Sequence, residues 1–189
     1  DLIPSRFSRI PELIESGWIR FDAAFVQVSP PDEQGFCSLG LACDVAGRAM
    51  RQARLVVGEI NRNMPRTCGA TRVHVDEFDL FVENDEELLS LPAVSVDPVY
   101  GQLAEHLAVL IENGDCLAFS LGPLYEALGR ELKSRSDLGV HSPFFTDSLM
   151  RLVESGAVSN AQKKTCPGKS LTSYGLGSAE LYRWLDGNA

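Results

Sequence analysis

The chain has 189 residues, of which 44% are hydrophobic, and carries a formal net charge of −9. This size and apolar content allow a buried core, either in one large domain or in two smaller ones. The negative charge disfavours sequence-independent nucleic-acid binding, which depends on basic side chains that neutralise phosphates, and the absence of a run of about 18 apolar residues predicts no membrane span.

The start of the chain has no initiator Met and no signal peptide, so we expect an internal portion of a longer polypeptide. The five cysteines are an odd set without a C-x-x-C pair, and the three histidines show no zinc-ligand spacing. We therefore expect reduced, mostly buried thiols and a cytoplasmic protein without a bound metal. The cysteines are Cys37, Cys43, Cys68, Cys116 and Cys166.

The first half of the chain alternates between helical and extended patterns. Helices are predicted over 11–19 and 45–54, with Asp44 as the cap of the second, and strands over 22–28, 36–40, 55–60, 71–74 and 78–82. Loops rich in proline and glycine follow two of these strands, at 29–35 and 61–69. Such residues fix unusual backbone paths, which ligand-binding loops require and ordinary hairpins do not.

The composition changes near residue 90, where an acidic stretch at 83–87 is followed by prolines at 92 and 98. Acidic, proline-containing segments are typical of solvated linkers between domains. We therefore place a first domain at 1–92, a linker at 93–97 and a second domain at 98–189.

The second half repeats the order of strand, short loop and helix. Helices are predicted over 99–112, 124–132, 148–154 and 178–185, and strands over 116–121, 137–141 and 171–174. His106 stands among the apolar positions of the first of these helices, which predicts a packed histidine rather than a ligand. The repetition predicts an α/β class with a mostly parallel sheet in each half.

Six arginines between residues 48 and 72 contrast with the acidic whole: Arg48, Arg51, Arg54, Arg62, Arg66 and Arg72. Such a cluster could receive the phosphates of a small anionic ligand. Alternatively, the first three line the solvated face of one helix.

Several segments, in this order along the chain, carry a family resemblance. Residues 28–40 contain Val-Ser-Pro-Pro-Asp, a glycine and Ser-Leu-Gly; 61–67 are Asn-Arg-Asn-Met-Pro-Arg-Thr; 138–142 are Leu-Gly-Val-His-Ser; 152–156 and 174–178 continue the pattern. Together they resemble the acetyl-CoA hydrolase/transferase family, the coenzyme A (CoA) transferases that include 4-hydroxybutyrate CoA-transferase.

The resemblance implies open α/β sheets of the CoA-transferase (NagB/RpiA-like) type with helices on both faces, in parts of two related domains. It implies acyl-CoA and a small carboxylate as substrates, no permanently bound cofactor, and a homo-oligomer without nucleic-acid or membrane partners. It also implies a substrate and CoA site formed by Ser29, Pro30, Asp32, Gly35, Gly40, Asn63, Met64, Pro65, Arg66 and Gly122.

The catalytic position departs from the family. The family's nucleophilic glutamate, which carries a covalent CoA thioester, corresponds to Pro143, beside His141 and Ser142. Proline offers neither a nucleophile nor a hydrogen-bond donor. The family's glycine-rich turn is also reduced here to Gly122, which is followed by Pro123.

Three interpretations of the activity stay open. The first is an acyl-CoA transferase or hydrolase that moves CoA between an acyl-CoA and a carboxylate or water. The second is a CoA-binding or scaffold subunit that kept the fold and lost the nucleophile. The third is a thioesterase in which Cys37 or Cys43, assisted by His74 or His141, attacks the substrate. A structural explanation of Pro143 is that it presets an extended approach to the following helix.

Overall fold

The structure is a computed structural model that describes residues 4–188. The chain divides into two compact units, Asp1–Leu88 with Leu185–Ala189, and Leu89–Trp184. The assignment of 1–92 and 98–189 as CoA-transferase-like domains joined by 93–97 stays a prediction. Among the described residues, no helix combines the length and the apolar character needed to cross a membrane.

The first unit contains a parallel three-stranded sheet and a small antiparallel pair. Its elements are α1 (Ile10–Glu15), β1 (Ala23–Val28), β2 (Phe36–Ser38), α2 (Ala46–Gln52), β3 (Leu55–Asn61), β4 (Arg72–His74) and β5 (Leu80–Asn84). The parallel sheet has the order β1-β3-β5, and β2 pairs with β4. Helix α1 is shorter than predicted, because Gly17 turns the chain with a φ of 74°.

One face of the parallel sheet carries the core of this unit. The buried side chains are Ala24, Val26, Val28, Cys37, Leu39, Met50, Val56 and Val73. Three of them are alternate residues of β1, as the period of two in a strand requires. The others come from β3, from the antiparallel pair and the residue after β2, and from α2. Asp44 accepts a hydrogen bond from the Ala46 N–H at 3.0 Å, at the start of α2, as predicted.

The second unit has a parallel sheet of order β6-β7-β8. Its elements are α3 (Pro98–Ala108), β6 (Cys116–Leu117), α4 (Pro123–Glu131), β7 (Gly139–Phe145), α5 (Asp147–Glu154), β8 (Leu171–Gly175) and α6 (Ala179–Leu185). The predicted α/β class with parallel sheets is confirmed.

Two strand predictions in this unit were wrong. Strand β7 continues beyond His141 to Phe145, because β8 pairs with it that far. Strand β6 ends at Leu117 instead of residue 121. After Leu117 the backbone of this segment is bonded to a side chain of β7 instead of to its backbone. The Ser142 hydroxyl accepts from the Phe119 N–H and donates to the Phe119 carbonyl. A segment whose backbone bonds to a side chain is not counted as part of the sheet. Strand propensity does not reveal this, because it does not depend on which group lies opposite.

Two burial predictions were also wrong. His106 is exposed, and α3 buries Ala104 and Ala108 instead of its larger side chains, since small residues let this helix lie close to α4. Of the five free cysteines only Cys37 is buried and Cys43 is partly buried; the other three are exposed.

Candidate functional site

Ser38 and Thr67 join the two predicted ligand loops of the first unit. The Ser38 hydroxyl oxygen lies 3.1 Å from the Gly40 nitrogen and 3.2 Å from the Thr67 nitrogen, and it accepts from both. The Thr67 hydroxyl in turn donates to the Gly40 carbonyl at 2.7 Å. The segments at 29–40 and 61–67, which are distant in sequence, therefore form one surface. Sequence reasoning missed these two residues as organisers, although hydroxyl side chains in turn-rich loops often have this role.

Ser29, Pro30 and Arg66 belong to the same surface. Ser29 is fully buried, and its hydroxyl accepts from the Ser38 N–H at 2.9 Å. The Arg66 guanidinium donates to the Pro30 carbonyl at 3.3 Å, and the Arg66 N–H donates to the Asp186 carboxylate at 2.7 Å. Arg66 remains exposed, so its guanidinium can also meet a ligand.

Asp32 and Gly35 shape the turn between β1 and β2. The Asp32 carboxylate accepts from the backbone N–H groups of Phe36 and Gln34, both at 2.9 Å. The Phe36 hydrogen bond chiefly, with Arg72 nearby, lowers the pKa of Asp32. Gly35 has a φ of 82°, and a β-carbon there would lie 2.8 Å from the His74 ring. Asp32 and Gly35, both predicted as binding residues, therefore stabilise the turn itself. The Asp32 carboxylate already accepts hydrogen bonds from two backbone N–H groups.

Gly40, Met64 and Pro65 are buried, and Asn63 is exposed. Gly40 has a φ of 65°, and the Met64 thioether occupies the space that a β-carbon would take. The Asn63 amide donates to the backbone carbonyl of Asp85 at 3.0 Å. Nine of the ten predicted substrate-binding residues thus lie in the first unit, and the exposed side chains among them are Asn63 and Arg66.

The arginine cluster is divided among separate partners. Arg48 pairs with Glu15 at 2.6 Å, and Arg62 pairs with Asp85 at 3.6 Å. Arg72 lies 3.5 Å from Asp32 and covers the ring of Phe36. Carboxylates therefore neutralise half of the cluster, while Arg51 and Arg54 are exposed on and just after α2. These positions favour a solvated helix face over a single phosphate-binding patch.

The predicted catalytic position lies on β7 of the second unit. His141 and Pro143 are exposed on one face of the strand, and Ser142 is buried on the other. Pro143 stands inside this extended strand, which leads into α5 at Asp147. The strand tolerates it because β6 pairs with β7 only as far as Val140, while β8 pairs with the residues on either side, Ser142 and Phe144.

Gly122 lies apart from that position, in a groove of about 530 Å³ at the carboxyl ends of the three strands. Its φ of 127° favours glycine, and it precedes α4. Arg130, Lys133 and Arg151 also line the groove, but the Glu126 carboxylate lies 3.5 Å from Arg130 and 2.6 Å from Arg151. Ligands of open α/β sheets bind at this edge, yet the groove does not include His141, Ser142 or Pro143.

The proposed cysteine nucleophiles are in unfavourable surroundings. Burial raises the pKa of the Cys37 and Cys43 thiols, and the carboxylates of Asp32 and Asp44, respectively, raise them further. A raised pKa lowers the thiolate fraction at neutral pH, and the thiolate is the reactive form. Both residues also belong to the first unit, whereas His141 belongs to the second.

We predict that a thiol reagent at pH 7 modifies Cys68, Cys116 and Cys166 at least tenfold faster than Cys37 and Cys43, because access and thiolate fraction both favour the exposed set. Mass spectrometry of peptides sampled over time measures the five rates, and modification in urea gives the reference for each thiol. Rapid modification of Cys37 or Cys43 in the folded protein would instead support the thioesterase interpretation.

Each of the two units has an open parallel sheet, and the predicted binding loops of the first unit follow β1 and β3, which defines an α/β protein of the open-sheet class. Residues 1–92 match the model of the acetyl-CoA hydrolase/transferase N-terminal domain. The chain is 36% identical over 188 residues to the 4-hydroxybutyrate coenzyme A transferase of Clostridium kluyveri, an alignment that covers 100% of this chain and 44% of that protein. It is 33% identical to the succinyl-CoA:cyclohexane-1-carboxylate CoA transferase of Geobacter metallireducens, with 100% and 43% covered.

Solved structures agree with these sequence relatives. The 4-hydroxybutyrate CoA-transferase from Porphyromonas gingivalis superposes with a TM-score of 0.92 at 34% identity, over 98% of this chain and 48% of that one. RipA from Yersinia pestis gives 0.93 at 35%, over 97% and 43%. The chain belongs to the acetyl-CoA hydrolase/transferase family, and it spans less than half the length of these relatives.

Proposed function

We propose that this chain is part of a protein that binds acyl-CoA and a small carboxylate, as the names of its transferase relatives describe for them. The joined loops at 29–40 and 61–67 carry this proposal. They lie at the carboxyl ends of β1 and β3, where open α/β sheets bind ligands. Arg66 is exposed there and offers a guanidinium suited to a phosphate or carboxylate. In the second unit, Gly122 is proposed as a separate substrate-binding position within its own groove.

Two forms of this function differ in turnover. In the first, the protein moves CoA between an acyl-CoA and a carboxylate or water; in the second, it binds CoA or acts as a scaffold without turnover. The geometry of β7 favours the second form. Pro143 has no nucleophilic atom, and the Ser142 hydroxyl is buried and bonded to both backbone groups of Phe119. His141 is exposed on the same face as Pro143, where it could still contact a substrate.

The test measures binding and turnover separately, on the longest natural polypeptide that contains this chain. We expect acetyl-CoA and butyryl-CoA to bind in calorimetry. We expect neither release of free thiol from acetyl-CoA in water nor formation of butyryl-CoA or 4-hydroxybutyryl-CoA when butyrate or 4-hydroxybutyrate is the acceptor. Arg66→Ala is expected to weaken CoA binding about tenfold through the loss of a charge-assisted contact, while Arg54→Ala, another exposed arginine, leaves it unchanged. If no CoA compound binds, the proposal is contradicted; thiol release, or formation of a new acyl-CoA from the acceptor, by the unaltered protein establishes the first form.

A further inference from the structure

Two residues that follow α6 hold the backbone of Arg66 from both sides. The Arg66 N–H donates to the Asp186 carboxylate at 2.7 Å, and the Gly187 N–H donates to the Arg66 carbonyl at 2.9 Å. Asp186 stands 120 positions after Arg66, and all three residues belong to the first unit. Gly187 has a φ of 67°, a left-handed conformation that glycine adopts without strain.

The peptide groups of Arg66 depend on this segment, because the binding loops bond to its neighbours instead. Pro65, before it, is buried and has no N–H to donate. The Thr67 N–H, after it, donates to the Ser38 hydroxyl. The bonds to residues 186 and 187 therefore restrain the φ and ψ of Arg66. The backbone angles in turn limit the rotamers of a side chain, so these bonds set the direction in which the arginine leaves the loop.

The Arg66 guanidinium is available to an anion. It is exposed, and its one hydrogen bond within residues 4–188 runs to the Pro30 carbonyl at 3.3 Å. Over the same residues no carboxylate lies within 4.0 Å of it, whereas Arg62 and Arg72 each have a carboxylate partner. The Asp186 carboxylate is bonded to the backbone N–H, so it restrains Arg66 without pairing with the guanidinium.

We propose that Asp186 is a positioning residue for ligand binding: it holds the Arg66 backbone so that the guanidinium meets an oxyanion of the ligand. That oxyanion is a phosphate of CoA or the carboxylate of the acceptor. The proposal rests on the proposed function, in which Arg66 contacts the ligand, and it adds a residue that lies outside the segments of the family resemblance. Asp186 acts through Arg66 and does not touch the ligand itself.

Calorimetry on the longest natural polypeptide that contains this chain tests the role, with acetyl-CoA and butyrate titrated separately to identify the oxyanion. Asp186→Ala is expected to weaken the binding of at least one of them about fivefold, because it removes one hydrogen bond to a charged group. Asp186→Asn is expected to stay within about twofold of the unaltered protein, since its amide oxygen can accept from the same N–H. If Asp186→Asn binds as weakly as Asp186→Ala, the hydrogen bond is not the cause and the proposal is overturned.

A matched control and a double variant separate positioning from a general structural role. The Asp97 carboxylate is also exposed and accepts a backbone N–H, from Val99 at 2.9 Å, so Asp97→Ala is expected to leave binding unchanged. Arg66→Ala keeps the backbone N–H that bonds to Asp186 but lacks the guanidinium. Asp186→Ala is therefore expected to have no further effect in the Arg66→Ala protein, since groups that act through one contact are not additive. A second loss of the same size there would overturn the proposal.

A measurement without ligand keeps this inference distinct from the proposed function. If the unaltered protein binds neither compound, the proposed function fails, and the order parameter of the Arg66 Nε–Hε group from NMR relaxation decides the positioning role. Asp186→Ala is expected to lower this order parameter by about 0.2 or more, the difference between rigid and flexible groups. Asp186→Asn and Asp97→Ala are expected to leave it unchanged. An order parameter that does not respond to Asp186→Ala would overturn the proposal.

Discussion

Pro143→Glu is expected to raise acyl-CoA hydrolysis and CoA transfer on the order of 10³-fold above the level of the unaltered protein, because the loss of a covalent nucleophile costs enzymes at least this much. The new carboxylate would attack the acyl carbonyl and expel the CoA thiolate, which leaves a mixed anhydride. The thiolate would then attack the glutamyl carbonyl and expel the acyl carboxylate. Water would hydrolyse the resulting glutamyl-CoA thioester to free CoA and the glutamate. An acceptor carboxylate would instead expel the thiolate and form a second anhydride, whose acceptor acyl group the thiolate would then attack to give a new acyl-CoA and the glutamate.

The strand can accept this change. Pro143 is exposed on the same face as His141, so a glutamate side chain would project into open space. Strand β6 pairs only as far as Val140, and the bonds to β8 are made by the residues on either side of position 143. The thermal midpoint is therefore expected to change by only about 2 °C or less, since surface substitutions usually alter stability little.

Pro143→Gln is the matched control, since it has the size and the backbone N–H of glutamate without the nucleophile. Thiol release from acetyl-CoA in water, and formation of butyryl-CoA from acetyl-CoA and butyrate, are measured for the unaltered protein and for both variants. A covalent glutamyl-CoA adduct in the mass spectrum of the Glu variant alone would establish the route. Equal activity in the Glu and Gln variants would show that residue 143 is not the nucleophile position, and silence from both would favour the scaffold form.

Ser142→Ala is expected to reduce the free energy of unfolding by about 3 kcal/mol. The substitution removes two hydrogen bonds, at 2.9 and 2.8 Å, and leaves the N–H and carbonyl of Phe119 without partners. Phe119 is only 3% exposed, so water replaces those bonds poorly. An unsatisfied buried backbone group costs about 1–3 kcal/mol, and here there are two.

The midpoint and slope of the urea unfolding transition give the free energy of unfolding of each variant. Ser173→Ala is the control, because Ser173 lies on the neighbouring strand β8 and is exposed. Its effect is expected to stay within about 0.5 kcal/mol, the usual range for surface changes. If Ser142→Ala were as mild as the control, the hydroxyl would not be what joins β7 to the segment after β6.

The positions of most helices and strands could be predicted from local patterns, since apolar runs and Pro, Gly and Asp signals are local properties. Strands β1 and β3 agree with the prediction to within one residue. The failures occurred where a partner outside the segment decides the conformation. Strand β7 includes Pro143 because β6 pairs with it only as far as Val140 and β8 pairs with the residues on either side of the proline. Helix α3 buries alanines because it lies close to α4.

The sequence by itself determined the α/β class, the family, and the identity of residue 143 as a proline, because these depend on the order and type of residues. Only the tertiary structure decided that Ser38 and Thr67 join two distant loops and that the Ser142 hydroxyl is committed to Phe119. Each of these depends on which groups meet across the fold. Such pairings are set by packing and hydrogen-bond satisfaction over the whole unit, and no local pattern contains them.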